Sequence, residues 1–175
     1  MKLKRFVNSR DEEVVKLIAL YQEAFPESER FRDDQILLNL IDNNQSLHFN
    51  AIYEDDELAG LFMYWTLEKL HYIHFLAVYP EMRNRKIGKK VLDWIAENFK
   101  RPVFLEADDP KDEISTRRIH FYERNGYQVL AKNPEILYEA RERSCKLWLM
   151  GNTPVEYLDD YIRTIRDVIY KASGE

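Results

Sequence analysis

Only one of the 175 residues is a cysteine, Cys145, so no internal disulfide can form and a reducing compartment is expected. With apolar residues close by at Leu147 and Leu149 and no base beside it, Cys145 reads as a packed thiol rather than a nucleophile. Glycine is scarce too: five residues, scattered, leave no flexible linker and no evident domain boundary. Gly-x-x-x-x-Gly-Lys-Ser/Thr is missing, which excludes a Walker loop, and so is the glycine cluster of a dinucleotide-binding turn. No apolar run reaches the roughly eighteen residues of a membrane span, and Met-Lys-Leu-Lys-Arg leads into a strand-like piece rather than a signal-peptide core. A cytoplasmic protein without a membrane partner is expected. Internal repeats and low-complexity tracts are absent. The net charge of −5 argues against a nucleic-acid partner, since no basic and aromatic surface accompanies the one basic cluster. At 45% hydrophobic and 33% charged, the chain suits one soluble domain over 1–175 with a full core.

The most informative stretch is Tyr72 to Phe99. An apolar run, Ile73 to Val78, stops at Tyr79-Pro80; a cation-rich turn follows, and Ile87, Val91, Leu92 and Ile95 then recur at helical spacing. This reads as strand, loop, helix. Arg83, Arg85, Lys86, Lys89 and Lys90 surround Gly88 where a new helix exposes unpaired amides, a combination suited to phosphate. A solvated charged face is the alternative.

Around this stretch the pattern alternates between strands and helices. Lys2 to Val7 is a first strand, and Ser9 with Glu12 forms a capping box before a helix bearing Val14, Leu17, Ile18, Tyr21 and Phe25 on one face. Pro26 ends it. A polar turn runs to Asp33, and a second amphipathic helix carries Ile36, Leu37, Leu40 and Ile41. His48 to Glu54 and Leu58 to Leu67 form a hairpin across Asp55-Asp56-Glu57, and Leu70 to Val78 is the next strand. Val103 to Ala107 should lie parallel to it, because a helix-length connection separates the two. Ile114 to Asn125 is a helix ending at Gly126; Gln128 to Lys132 and Ser144 to Met150 are a final antiparallel pair joined by a long connection, Asn133 to Arg143. Thr153-Pro154-Val155-Glu156 reads as the start of a last helix whose stripe is Val155, Leu158, Ile162, Ile165 and Ile169. The stripe either docks on its own domain or forms a homodimer contact, so monomer and homodimer both stay open.

Two motifs carry a family resemblance. Leu76-Ala77-Val78-x-Pro80-x-x-Arg83-x-x-Lys86-Ile87-Gly88 resembles the acetyl-CoA signature of the GNAT superfamily of N-acetyltransferases, Arg/Gln-x-x-Gly-x-Gly/Ala after a strand ending Ala-Val-x-Pro. Phe121-Tyr122-Glu123-Arg124-Asn125-Gly126-Tyr127, about forty residues on, resembles that family's Phe-Tyr-Glu-x-x-Gly-Phe. The resemblance is sharp over 71–127 and architectural elsewhere.

It implies an α/β (α+β) GNAT fold: a mixed, mostly antiparallel central sheet of about six or seven strands, splayed at its parallel pair and flanked by helices, with 150–175 as a C-terminal helical extension. It implies acetyl-CoA as cosubstrate, with no metal. Main-chain groups of Leu76, Ala77 and Val78, freed by a bulge, would pair with the pantetheine arm, and Arg83, Asn84, Arg85, Lys86, Ile87, Gly88 and Lys89 would hold the pyrophosphate. Lys86 stands where the family has glycine, which is tolerable if its φ is negative and its side chain points outward. Ser115 and Arg118 replace the family's asparagine and alanine; Arg117 or Arg118 would reach a cofactor phosphate or face water.

Tyr122 matches the tyrosine that protonates the departing thiolate. The base is Glu106, His74, or a group acting through water; alternation places Tyr72, His74 and Leu76 on one face and His71, Ile73 and Phe75 on the other. Phe25, Glu27, Glu29 and Phe31 are candidate acceptor contacts. Asp108 belongs to a run with Glu106, Asp109, Asp112 and Glu113 that reads as a solvated loop or as a negative rim for a cationic amine. The expected function is acetyl transfer to a primary amine of a small molecule or peptide; the alternative is a catalytically degenerate CoA-binding module that regulates a partner.

Overall fold

A computed structural model describes residues 1–140 and 146–174. Cys145, the end of the 133–143 connection and the Ser144 start of the final strand lie outside the described residues. By its internal contacts the chain divides into two compact units, Met1–Thr66 with His74–Asn98 and Leu67–Ile73 with Phe99–Glu175. No helix among the described residues is long and apolar enough to cross a membrane.

The described strands are β1 (Lys2–Phe6), β2 (Leu47–Glu54), β3 (Glu57–Thr66), β4 (His71–Val78), β5 (Val103–Asp108), β6 (Gln128–Lys132) and β7 (Leu147–Gly151). They form one mixed sheet in the order β1-β2-β3-β4-β5-β7-β6. β4 and β5 are parallel, as the crossover length requires, but their ladder covers only His71↔Val103, Tyr72↔Phe104 and Ile73↔Leu105, while β4 runs on to Val78 and β5 to Asp108. β6 and β7 are antiparallel, as expected, yet β7 also pairs with β5 and so lies inside the sheet.

In the first unit, α1 (Glu12–Ala24) buries Val14, Leu17, Leu20 and Tyr21, and α2 (Asp34–Asn43) buries Leu37, Leu40 and Ile41. The expected Ser9/Glu12 capping box does not form. Asp11 is the cap, accepting from the Glu13 amide at 3.0 Å, because Ser9 is drawn off to the carboxylate of Asp42, to which its amide and hydroxyl donate at 2.6 and 2.8 Å. The β2–β3 hairpin turns in two residues, Asp55 and Asp56, both at positive φ (51° and 63°), the handedness that matches strand twist. Further along β3, a Cβ on Gly60 would lie 2.1 Å from the Ala77 carbonyl oxygen, and the Tyr79 amide donates to Ala59 at 3.0 Å. β4 thus ends pressed backbone to backbone against β3. α3 (Ile87–Asn98) buries Ile87, Val91, Leu92 and Ile95, the face its spacing predicts.

In the second unit, α4 (Glu113–Arg124) opens with a capping box between Asp112 and Ser115, which gives this chain's serine a local task. It closes on Gly126 at φ 86°, with the Tyr127 amide on Tyr122 O and the Gly126 amide on Glu123 O, both at 3.1 Å, a Schellman ending completed by ring contact between Tyr122 and Tyr127 at 5.8 Å. A short helix, α5 (Glu135–Ala140), occupies the connection read as a loop. The last helix does not start at Thr153-Pro154. Tyr157 sits at φ 55°, a left-handed residue no helix can include, so α6 begins after it (Leu158–Thr164) and continues through a π-helical segment, Ile165–Tyr170, into α7 (Lys171–Ser173). Ile162, Ile165 and Ile169 of the stripe are buried, and Tyr161 packs its ring on Phe104 at 5.2 Å, so this apolar face is covered within its own unit.

Gly60 and Gly126 predict contrasting costs. Gly126→Ala meets no atom within 4 Å but keeps φ at 86°, so it should cost about 1 kcal/mol. Gly60→Ala must push the β3 and β4 backbones apart and should cost about 3 kcal/mol or more. Urea midpoints decide it; equal losses would mean that the Gly60 approach relaxes without strain.

Candidate active site

The cation-rich loop lies in the first unit and is held at both ends. After the Pro80–Met82 turn, Arg83 is extended (φ −65°, ψ 165°) and its Nε donates to Val78 O at 3.4 Å. Asn84 and Lys86 both have positive φ, 65° and 57°, with Arg85 between them at an ordinary one, so the expectation of a negative φ at Lys86 is overturned. Lys86 keeps the left-handed backbone for which the family uses glycine, and its carbonyl accepts the first helical bond of α3 from the Lys90 amide at 3.0 Å. Alternating handedness of this kind points successive amides into one concavity, a shape that suits anions. The amides of Ile87, Gly88 and Lys89 in the first turn of α3 add the positive end of its dipole. The cations divide: Lys89 pairs with Asp93 at 2.7 Å, Lys90 with Glu54, and Arg85 with Glu57 at 3.5 Å. Lys90 is therefore committed to the sheet, whereas Arg83, Arg85, Lys86 and Lys89 are exposed around the concavity.

One acceptor candidate, Phe31, meets His74 in the same unit, and a second, Phe25, meets the adjacent Phe75. The Phe31 ring lies 5.1 Å from His74, 6.0 Å from Phe75 and 6.5 Å from Tyr21; Phe25 lies 4.7 Å from Phe75. The Tyr21 hydroxyl accepts from the Phe31 amide at 2.7 Å, which pins the segment between α1 and α2. Glu27 and Glu29 sit in a single 3-10 turn there, Glu27 exposed and Glu29 half-buried. His74 and Phe75 were expected on opposite faces, yet their rings stack at 4.2 Å and both touch Phe31. Adjacent residues of a regular strand cannot do this, so the face alternation breaks at that pair, ahead of Leu76, Ala77 and Val78 where the bulge was expected. Trp65 Nε1–H donates to His74 Nδ1 at 3.1 Å, and burial pushes this imidazole down to about 3. The neutral ring therefore carries its proton on Nε2.

The remaining candidates belong to the second unit. Glu106 Oε2 accepts from two phenols, Tyr72 at 2.9 Å and Tyr170 at 2.6 Å. Tyr122, half-buried against Phe121 and Tyr127, has no hydrogen-bond partner for its hydroxyl among the described residues, and burial raises its pKa above the ordinary phenol value. It therefore stays protonated, the state an acid requires. The acidic rim is largely neutralised: Arg118 pairs with Asp108 at 2.7 Å, Lys111 with Asp109 at 3.2 Å and Arg117 with Glu113 at 2.5 Å, while Asp112 caps α4. Arg117 and Arg118 thus hold carboxylates rather than facing water alone.

Sequence reasoning missed Trp65, Tyr21 and Tyr170. Their aromatic type was visible, but only packing brings them to His74, Phe31 and Glu106.

A model of the acetyltransferase (GNAT) family matches residues 14–127. Aminoalkylphosphonate N-acetyltransferase of Salmonella typhimurium is 32% identical over 105 residues, 56% of this chain and 66% of that protein, so the chain spans just under two thirds of this curated relative. Among solved structures, a Bacteroides thetaiotaomicron chain assigned to the GNAT family of acetyltransferases superimposes with a TM-score of 0.82 at 26% identity, covering 97% of this chain and 98% of that one. A Bacillus subtilis acetyltransferase in complex with CoA has a TM-score of 0.60 at 14% identity, covering 88% and 100%. The matched residues include both the Arg83–Lys89 loop and the helix of Tyr122, and with most of its length inside that match the chain belongs to the GNAT family of acetyltransferases.

Proposed function

We propose that the chain works as a single cytoplasmic domain, an acetyl-CoA-dependent N-acetyltransferase acting on a primary amine. The observation that carries the reading is the Arg83–Lys89 loop: two left-handed residues and a helix N-terminus form an anion concavity inside the family match. Arg83, Asn84, Arg85, Lys86, Ile87, Gly88 and Lys89 fit a diphosphate through amides and cations, and Leu76, Ala77 and Val78 fit the pantetheine arm through main-chain groups. Acetyl-CoA brings an already activated carbonyl, so no covalent enzyme nucleophile is needed. Tyr122, protonated by virtue of its burial, supplies the proton to the leaving sulfur.

Glu106 is the better-supported base. Both nitrogens of His74 are committed in the neutral ring, Nδ1 as acceptor from Trp65 and Nε2 as the proton carrier, and burial opposes further protonation. The proton lost from the amine as the C–N bond forms goes to Glu106; the sulfur leaves with the C–S electron pair and takes the Tyr122 proton. His74 then serves with Phe25 and Phe31 to shape the acceptor side, where Glu27 attracts an ammonium group. Arg30 and Arg32 flank Phe31 and suit an anionic substituent, which agrees with the phosphonate named for the Salmonella relative. Asp108, held by Arg118, contributes through that pair rather than as a bare charge.

Calorimetry with acetyl-CoA, followed by thiol release over aminoalkylphosphonates, polyamines, amino acids, aminoglycosides and peptides, tests the reading. Transfer to at least one amine is expected. Tight CoA binding with no turnover on any of them would favour the regulatory module instead.

Three substitutions sharpen it. Tyr122→Phe should lower kcat about 10²-fold with acetyl-CoA affinity unchanged; full activity would remove the phenol from the chemistry. Lys86→Gly should raise stability by about 1 kcal/mol, read from urea midpoints, because it relieves a left-handed lysine. The third concerns acid. His74's folded pKa lies below its unfolded value of about 6.5, so the stability it contributes is present above that pH and is lost as pH falls toward about 3. His74→Asn should therefore lose less stability on acidification than the wild type, and parallel melting curves across that window would contradict a buried neutral imidazole.

A further inference from the structure

The C-terminal helix contains an irregularity. Ile162, Ile165 and Ile169 recur at helical spacing, and Tyr170, which follows Ile162 by eight residues, stands at the edge of the same face. The backbone is π-helical over Ile165–Tyr170, where Ile169 is fully buried and Tyr170 is 5% exposed. Ser173 Oγ donates to the Ile169 carbonyl at 2.8 Å, supporting the junction back to regular helix. π-turns are rare and tend to occur at functional positions.

This turn delivers the Tyr170 hydroxyl to Glu106 Oε2, at 2.6 Å, where the Tyr72 hydroxyl already donates at 2.9 Å. Tyr72 pairs with Phe104 in the parallel ladder, and Glu106 follows Phe104 by two residues, so strand periodicity sets all three side chains on one face of the sheet. Tyr161 packs on Phe104 across that face, and Tyr170 follows it along the same helical segment. The neighbouring carboxylate at the end of β5, Asp108, pairs with the Arg118 guanidinium. Two donors on one oxygen restrain the torsions that orient the Glu106 carboxylate, and a phenol can reverse from donor to acceptor once the carboxylate has taken a proton.

We propose that Tyr170, together with Tyr72, is a positioning residue that holds Glu106 in the orientation from which it takes the proton of the acceptor amine. The C-terminal helix is then an element of the acetyl-transfer machinery and not only a cover for the sheet. This rests on the acetyltransferase reading above and on Glu106 as its base.

The test uses the full chain with Tyr170→Phe, Tyr72→Phe and Glu106→Gln, each alone, and each phenylalanine variant combined with Glu106→Gln. Acetyl transfer to the best amine of the panel is measured against pH, and acetyl-CoA affinity by calorimetry. Tyr170→Phe, which keeps the ring and removes one oxygen, should lower kcat about tenfold or more while leaving acetyl-CoA affinity unchanged. Because the carboxylate loses a donor, the acid limb of the kcat/KM profile should move to higher pH. In the Glu106→Gln background the same substitution should add nothing further, since it acts through Glu106. An unmoved limb and rate, or an equal loss in both backgrounds, in an enzyme that otherwise transfers acetyl would overturn the positioning role alone. A wild type that turns over no amine would overturn the acetyltransferase reading and this inference together. If Tyr170→Phe does not fold, Tyr72→Phe decides by the same readouts.

Discussion

Between Gly60 and the carbonyl of Ala77 there is no room for a side chain, and the organisation of the first unit depends on that contact. The end of β4 is held backbone to backbone against β3, and the Tyr79 amide on Ala59 closes the pairing one residue before Pro80. Proline then ends the strand, Arg83 leans back on the Val78 carbonyl, and the loop turns through Asn84 and Lys86 into α3. The buried face of α3 anchors the other end of the loop through Ile87, Val91, Leu92 and Ile95. Amides that are to meet an anion need this two-ended restraint, because a floppy loop would lose its entropy on every binding event.

The acidic side chains follow a related economy. Asp11 and Asp33 cap helices, Asp112 and Ser115 cap one another's backbone, and Asp108, Asp109 and Glu113 each meet a cation. Glu106 accepts from two phenols, Tyr72 and Tyr170. Tyr21, Phe25, Phe31, His74 and Phe75 gather into an apolar aromatic cluster in the first unit.

Much of this arrangement is legible in the chain because it arises within a few residues. Helical spacing marks α3; Gly126 after the Tyr122 helix is a left-handed ending that a β-carbon would strain; a parallel β4 and β5 follow from the length between them. These features are local hydrogen bonding and side-chain periodicity, and the order of residues suffices to set them. The same holds for the cation-rich loop, although Lys86 takes a positive φ and not the negative one that a side chain prefers.

Other features depend on partners distant along the chain. Ser9 gives up its cap to Asp42, thirty-three residues away; β7 enters between β5 and β6; His74 and Phe75 share one face only where Phe31 and Trp65 receive them. Tyr170 reaches Glu106, sixty-four residues distant, from a π-helical segment. Spacing along the chain could show which side chains were available, but not which carboxylate would receive two phenols. That outcome turns on long-range packing, which buries the Tyr170 ring while its hydroxyl donates to the carboxylate.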